Sequence, residues 1–210
     1  MQPGLLPLFP LQVVLLPGAQ LPLHIFEDRY KEMISEVLRD RLEFGVVLAG
    51  ESGIANEGCT ATIDRVLRKY DDGRMDILTV GRRRFEIMRV DEERAFLRGA
   101  VQFFDDDETS PAAPELQKRA IDGYNQLQAM ASSEPLTAAE ETNPQLSFKL
   151  AEPVTDLVLR QTILSRRSEA ERLRMLAEFF PAYLLRHQRI QHLKVVAPRN
   201  GHDRGKTVIS

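Results

Sequence analysis

The chain has 210 residues, 43% hydrophobic and 28% charged, with a net charge of −3; this ordinary globular composition excludes wholesale disorder and allows one large domain or two small ones. Its single cysteine, Cys59, excludes an internal disulfide and a Cys-rich zinc module, and suits a reducing compartment, the cytoplasm by default. Charge is uneven: residues 1–108 hold 14 Lys and Arg against 20 Asp and Glu, a poor footprint for a phosphate backbone, whereas residues 160–206 hold 11 against 4, a stretch to weigh for nucleic acid.

Residues 7–30, PLFPLQVVLLPGAQLPLHIFEDRY, are apolar but cut by prolines. The first Lys or Arg is Arg29, so the basic start of a secretory leader is lacking. Pro10, Pro17 and Pro22 interrupt what a membrane helix would need as one long run. The stretch reads as part of the fold. Strands are predicted at 12–16, 44–49, 61–67, 75–80, 84–89 and 96–104 from short β-rich apolar pieces. Pro17-Gly18, residues 50–58, Asp71-Asp72-Gly73 and residues 91–94 separate them as turns, and Asp72-Gly73 is a hairpin signal, because both residues tolerate positive φ. One helix interrupts them over 26–41, where Phe26, Tyr30, Met33, Ile34, Val37 and Leu38 form one face.

Four acids, Asp105 to Glu108, followed by Thr109-Ser110-Pro111, mark a boundary, since like charges repel and Pro111 ends a ladder. They lack the spaced ligands and internal glycine of a calcium loop. Beyond them the period becomes helical at 114–131 and 154–165. Thr137 with Glu140, and Ser168 with Glu171, are capping boxes; the second opens a helix striped by Leu173, Leu176, Phe180, Tyr183 and Leu184. Strands followed by helices predict an α+β chain, not a doubly wound sheet: a β-rich subdomain at 1–108, a helical one at 109–196 and a flexible tail at 197–210.

No catalytic, cofactor-binding or metal-ligating set is expected. NGHDRGKT at 200–207 has Asn200 where a phosphate loop needs its first glycine. GESGI at 50–54 has Ile54 where a nucleophile elbow needs its last, leaving Ser52 a loop serine. His187 and His192 are five apart and face different ways, and His24, between Leu23 and Ile25, reads as a satisfied histidine at a strand end. Cys59 has no adjacent base. Arg82-Arg83-Arg84 is the densest basic cluster; on a regular strand Arg82 and Arg84 share a face and form a possible anion contact, against the alternative of a charge-protected edge.

Three motifs in order carry a resemblance. LPLFPLQVVLLPGAQLPLHIFEDRY at 6–30 resembles the start of the Lon protease N-terminal, substrate-binding domain: Leu-Phe-Pro-Leu, a Leu-Pro-Gly turn, Leu-Pro-Leu, then a helix opening near an aromatic. GCTATIDRVLRKYDDGRMDILTVGRRRFEI at 58–87 is similar to its strand–hairpin–strand, and LSFKLAEPV at 146–154 with RQTILSRRSEAERLRMLAEFF at 160–180 is similar to its helical part. The likeness runs over about residues 5–195. It implies a PUA-like small β-barrel with one inserted helix, followed by an α-helical bundle, as a stand-alone relative without the ATPase and peptidase modules of Lon. It also implies a proteolysis-related, non-enzymatic, bacterial protein-binding module whose partner is a polypeptide or protein.

A groove between barrel and bundle lined by residues such as Leu21, Leu23, Phe26 and Tyr30 is expected to accept an apolar peptide, with acidic rims favouring basic flanks; the alternative is that these side chains fill the core. The competing function is RNA binding, because PUA-like barrels occur in RNA-modifying proteins and the C-terminal helices are basic, although they offer few aromatics for base stacking. A small hydrolase has only Ser52 and isolated histidines in its favour. No membrane association is expected.

Overall fold

The computed structural model describes residues 4–51, 53–108 and 110–196. Six strands, β1 (Leu6–Leu11), β2 (Gln20–Ile25), β3 (Phe44–Gly50), β4 (Gly53–Lys69), β5 (Met75–Asp91) and β6 (Arg98–Phe103), follow the order β2-β5-β4-β3-β1-β6. β6 also pairs with β5, which closes the strands into a ring. The length of β5 makes this closure possible: its first part, 75–80, pairs with β2, and its last part, 85–91, with β6. β1 and β3 run parallel, and the other pairs are antiparallel. One helix, α1 (Asp28–Asp40), is inserted between β2 and β3.

The chain is α+β, but several element boundaries move. Residues 12–16 form no strand; the strand lies earlier, at 6–11, despite Pro7 and Pro10. Pro10 is tolerated because only β3 pairs beside it, β6 touching β1 at Leu6 and Pro7 alone. Pro22 sits on β2, which pairs on one side only, with β5. The separate strands expected at 75–80 and 84–89 are one strand bent by a bulge. Cys59 pairs with Arg84 and Ala61 with Gly81, so β5 carries one residue more than β4 across this span. α1 starts at Asp28 and buries Tyr30, Met33, Ile34 and Val37; Phe26 precedes it and is 59% exposed. The Asp72-Gly73 turn joins β4 to β5, with Gly73 at φ +82°.

At Gly81 another stretch of barrel backbone passes too close for a side chain. A Cβ there would stand 2.2 Å from the Leu16 carbonyl oxygen, while its N–H donates to the Ala19 carbonyl and its own carbonyl accepts from Gly18. Backbone held on both sides cannot move aside cheaply. Gly81→Ala is therefore expected to cost about 1–3 kcal/mol, read as a lowered urea midpoint with an unchanged slope.

The second half is helical: α2 (Pro114–Met130), α3 (Ala138–Glu141), α4 (Leu146–Ala151), α5 (Leu157–Ser165) and α6 (Glu169–Val196). Thr137 and Glu140 complete a reciprocal capping box at α3, the Asp156 side chain caps α5, and the Ser168 hydroxyl accepts from the Glu171 N–H at the start of α6. One core cluster runs through both halves, from Phe9, Tyr30 and Phe44 to Phe148, Leu173 and Phe180. The barrel therefore cannot shed its helices without exposing apolar surface. No helix among the described residues is long and apolar enough to cross a membrane. The expected flexible tail, 197–210, lies outside the described residues.

Candidate binding cleft

The four side chains expected to line one groove take different positions. Tyr30 is buried against Phe9, ring centroids 4.1 Å apart. Leu21 and Leu23 alternate with exposed Gln20, Pro22 and His24 on β2 and pack against the core, half-buried. Phe26 stands on the outer surface beside the His24 ring, 5.9 Å away. His24 is satisfied, as its surroundings in sequence suggested: its Nδ1 lies 2.6 Å from Asp76 Oδ1, and the Tyr70 hydroxyl donates to the same carboxylate.

Leu21 nevertheless opens onto a cleft of about 660 Å³ between barrel and bundle. One wall is the connection from β1 to β2, with Val13, Leu15 and Ala19; the other is α4 and α5, with Lys149, Glu152 and Arg160. Arg160 joins the walls. Its guanidinium donates to the Val14 carbonyl at 2.8 Å and to the Glu152 carbonyl at 2.7 Å, while its Nε, also out of solvent, has no acceptor among the described residues. Lys149 reaches Glu152 at 3.1 Å. Apolar side chains on one lip and hydrogen-bonding charges on the other suit an extended chain that presents both apolar groups and backbone amides.

Barrel and bundle are also joined by a buried ionic junction that local sequence signals did not mark. Arg172 of α6 is 0% exposed. It grips both oxygens of Asp106, at 2.6 and 2.7 Å, donates from Nη2 to Glu169 and from Nε to the Ser147 hydroxyl. Ser147 closes the circuit by donating its N–H and hydroxyl to Glu169. From β5, Arg84 donates to Asp106 at 2.6 Å and to the Leu164 and Arg166 carbonyls. The Phe148 ring lies against both guanidinium groups. Strand, linker and α6 thus meet at the Asp106 carboxylate, and α4 joins the network through Ser147. Burial alone would raise the Asp106 carboxyl, but the hydrogen bonds and charge of Arg172 and Arg84 offset this and hold it below the ordinary range.

Arg82 and Arg84 do not converge on an anion. The β5 bulge breaks the alternation between them, leaving Arg82 exposed and donating to the Thr62 hydroxyl while Arg84 is buried in the junction. Arg83 pairs with Glu43 and covers the Phe103 ring. Among the described residues no group of three or more His, Cys, Asp or Glu is placed to hold a metal. Ser52, the 200–207 motif and His202 lie outside the described residues, and for His187 and His192 only the helical backbone is described. Burial pushes the Cys59 thiol up to about 12. It is expected to resist a thiol-specific disulfide reagent in the folded protein and to react at once in denaturant.

A profile of the ATP-dependent protease La (LON) substrate-binding domain matches residues 5–180. A Lon protease of Parabacteroides distasonis is 29% identical over 125 residues, 55% of this chain, which spans 15% of that protease. A Lon N-terminal domain protein from Xanthomonas campestris has a similar crystal structure, with TM-score 0.67 and 28% identity over 84% of this chain and 98% of that one. The N-terminal domain of a Mycobacterium avium complex Lon protease shares the fold at TM-score 0.61 and 17% identity, over 85% and 98%.

Proposed function

The chain belongs to the Lon substrate-binding domain family, and from that membership we propose that it is a non-enzymatic module that binds polypeptides in the cleft between its barrel (1–108) and its helical bundle (109–196). The observation that carries this reading is the cleft itself: an open, mostly polar trough with the partly exposed Leu21 and Val13 on one side and the charged groups of Lys149, Glu152 and Arg160 on the other. An extended apolar segment would bury side chains on the barrel lip and pair its amides with the bundle lip. A reducing compartment such as the cytoplasm fits the free Cys59.

RNA binding draws less support. Arg166 and Arg167, at the start of the basic stretch, are paired with Glu171, Asp107 and Glu86, and Arg172 is buried. The two functions separate in a fluorescence anisotropy titration of the full chain against a labelled unfolded polypeptide and a labelled single-stranded RNA, each over a salt series. Polypeptide binding that survives salt is the expected result. Binding confined to RNA and falling steeply with salt would overturn the reading.

A further inference from the structure

A second cleft, of about 670 Å³, opens beneath the linker that joins barrel to bundle. Its apolar lining comes from Pro111, Ala112, Pro144 and Leu146; no Lys or Arg lines it, but five carboxylates do. Asp106 and Glu169 are spent on Arg84 and Arg172. Asp105, Glu108 and Glu141 form no ion pair among the described residues; Asp105 interacts with Arg84 only at longer range. Arg166 and Arg167, exposed cations in the adjoining hollow, already face Glu171, Asp107 and Glu86. Asp105, Glu108 and Glu141 thus line a largely apolar trough without a salt bridge of their own among the described residues, Glu108 sharing the adjoining hollow with Arg166 and Arg167.

The two clefts are neighbours. Helix α4, six residues and so about 9 Å long, lines both: Leu146 at its start borders the acidic trough, and Lys149, with Glu152 just past its end, borders the barrel–bundle cleft. An extended chain advances about 3.3 Å per residue, so a short peptide reaches from one to the other.

We propose that the acidic trough docks a Lys- or Arg-bearing segment of the same polypeptide whose apolar part occupies the barrel–bundle cleft, so that the module selects apolar sequences with cationic flanks. This inference rests on the polypeptide-binding reading. The cationic head meets Asp105, Glu108 and Glu141 at the rim, and its aliphatic stem lies on Pro111, Ala112 and Pro144.

The test uses the full chain and two labelled peptides of equal length, both with the same apolar segment, one flanked by lysines and the other by glutamines. At low salt the lysine peptide is expected to bind about tenfold more tightly, the sum of several partly exposed charge pairs, and the advantage should shrink as salt screens it. A variant with Asp105→Asn, Glu108→Gln and Glu141→Gln is expected to keep its melting temperature and lose the advantage, while still binding the glutamine peptide. Equal affinity for both peptides, or an advantage that persists in the variant, overturns the acidic trough and leaves the polypeptide reading standing. Failure of both peptides to bind overturns that reading and this one with it. Self-association in sedimentation velocity that the triple variant abolishes would assign the trough to a second copy of the chain, against the proposal.

Discussion

Arg172→Ala is expected to destabilise the protein by about 3–5 kcal/mol, the usual cost of removing one partner from a buried ionic group and leaving the other unpaired. Arg172 has no solvent to replace it: its side chain is fully buried, and its loss leaves Asp106 with only Arg84 and Glu169 with only Ser147. Asp106→Asn should give a smaller loss, because the amide keeps one acceptor for the two arginines. The double variant should fall short of the sum, since both changes break the same network. The junction also predicts an acid limb. The folded Asp106 carboxyl lies below its ordinary value, so its contribution is present above about pH 5 and lost as pH falls through about 4 and below. Urea unfolding at stepped pH should show this decline in the wild type and a shallower one in Asp106→Asn.

Leu21→Asp is expected to weaken polypeptide binding by at least about tenfold, because a charge replaces the apolar wall of the cleft and the transfer of one leucine side chain alone is worth about 1.5–3 kcal/mol. Leu21 is half-buried, so some stability is lost as well. Val13→Asp, on the same lip, should reproduce the binding defect and so separate recognition from folding. Tyr30→Ala supplies the contrast: that ring is packed on Phe9 inside the core, and its removal should cost about 3–5 kcal/mol, with binding lost only as the fold is lost. If Leu21→Asp and Val13→Asp bind as the wild type does, the cleft is not the recognition surface.

The parts of this architecture written locally were legible in the sequence. The α1 stripe, the Asp72-Gly73 hairpin and the caps at Thr137 and Ser168 each depend on residues within a few positions of one another. The α+β division followed from the change of period after Asp105. What was missed depends on partners far away. Residues 12–16 read as a strand by composition, whereas pairing puts β1 at Leu6–Leu11, where Pro7 and Pro10 are each paired on one side only. The bulge that turns Arg84 inward and leaves Arg82 outside follows from the β4 register, which no alternation rule contains. Asp106 is indistinguishable in sequence from Asp105 and Asp107, yet it alone meets Arg84 and Arg172 across 22 and 66 positions. Of the expected groove residues, Leu21 opens on the cleft, and the opposite wall, Lys149, Glu152 and Arg160, was not among them.

The most direct test of polypeptide recognition between barrel and bundle is amide hydrogen exchange on the full chain, free and saturated with an unfolded polypeptide. Slowed exchange at residues 13–21 and 149–160 is the predicted result. Protection that appears elsewhere and leaves both of these segments unchanged would contradict it.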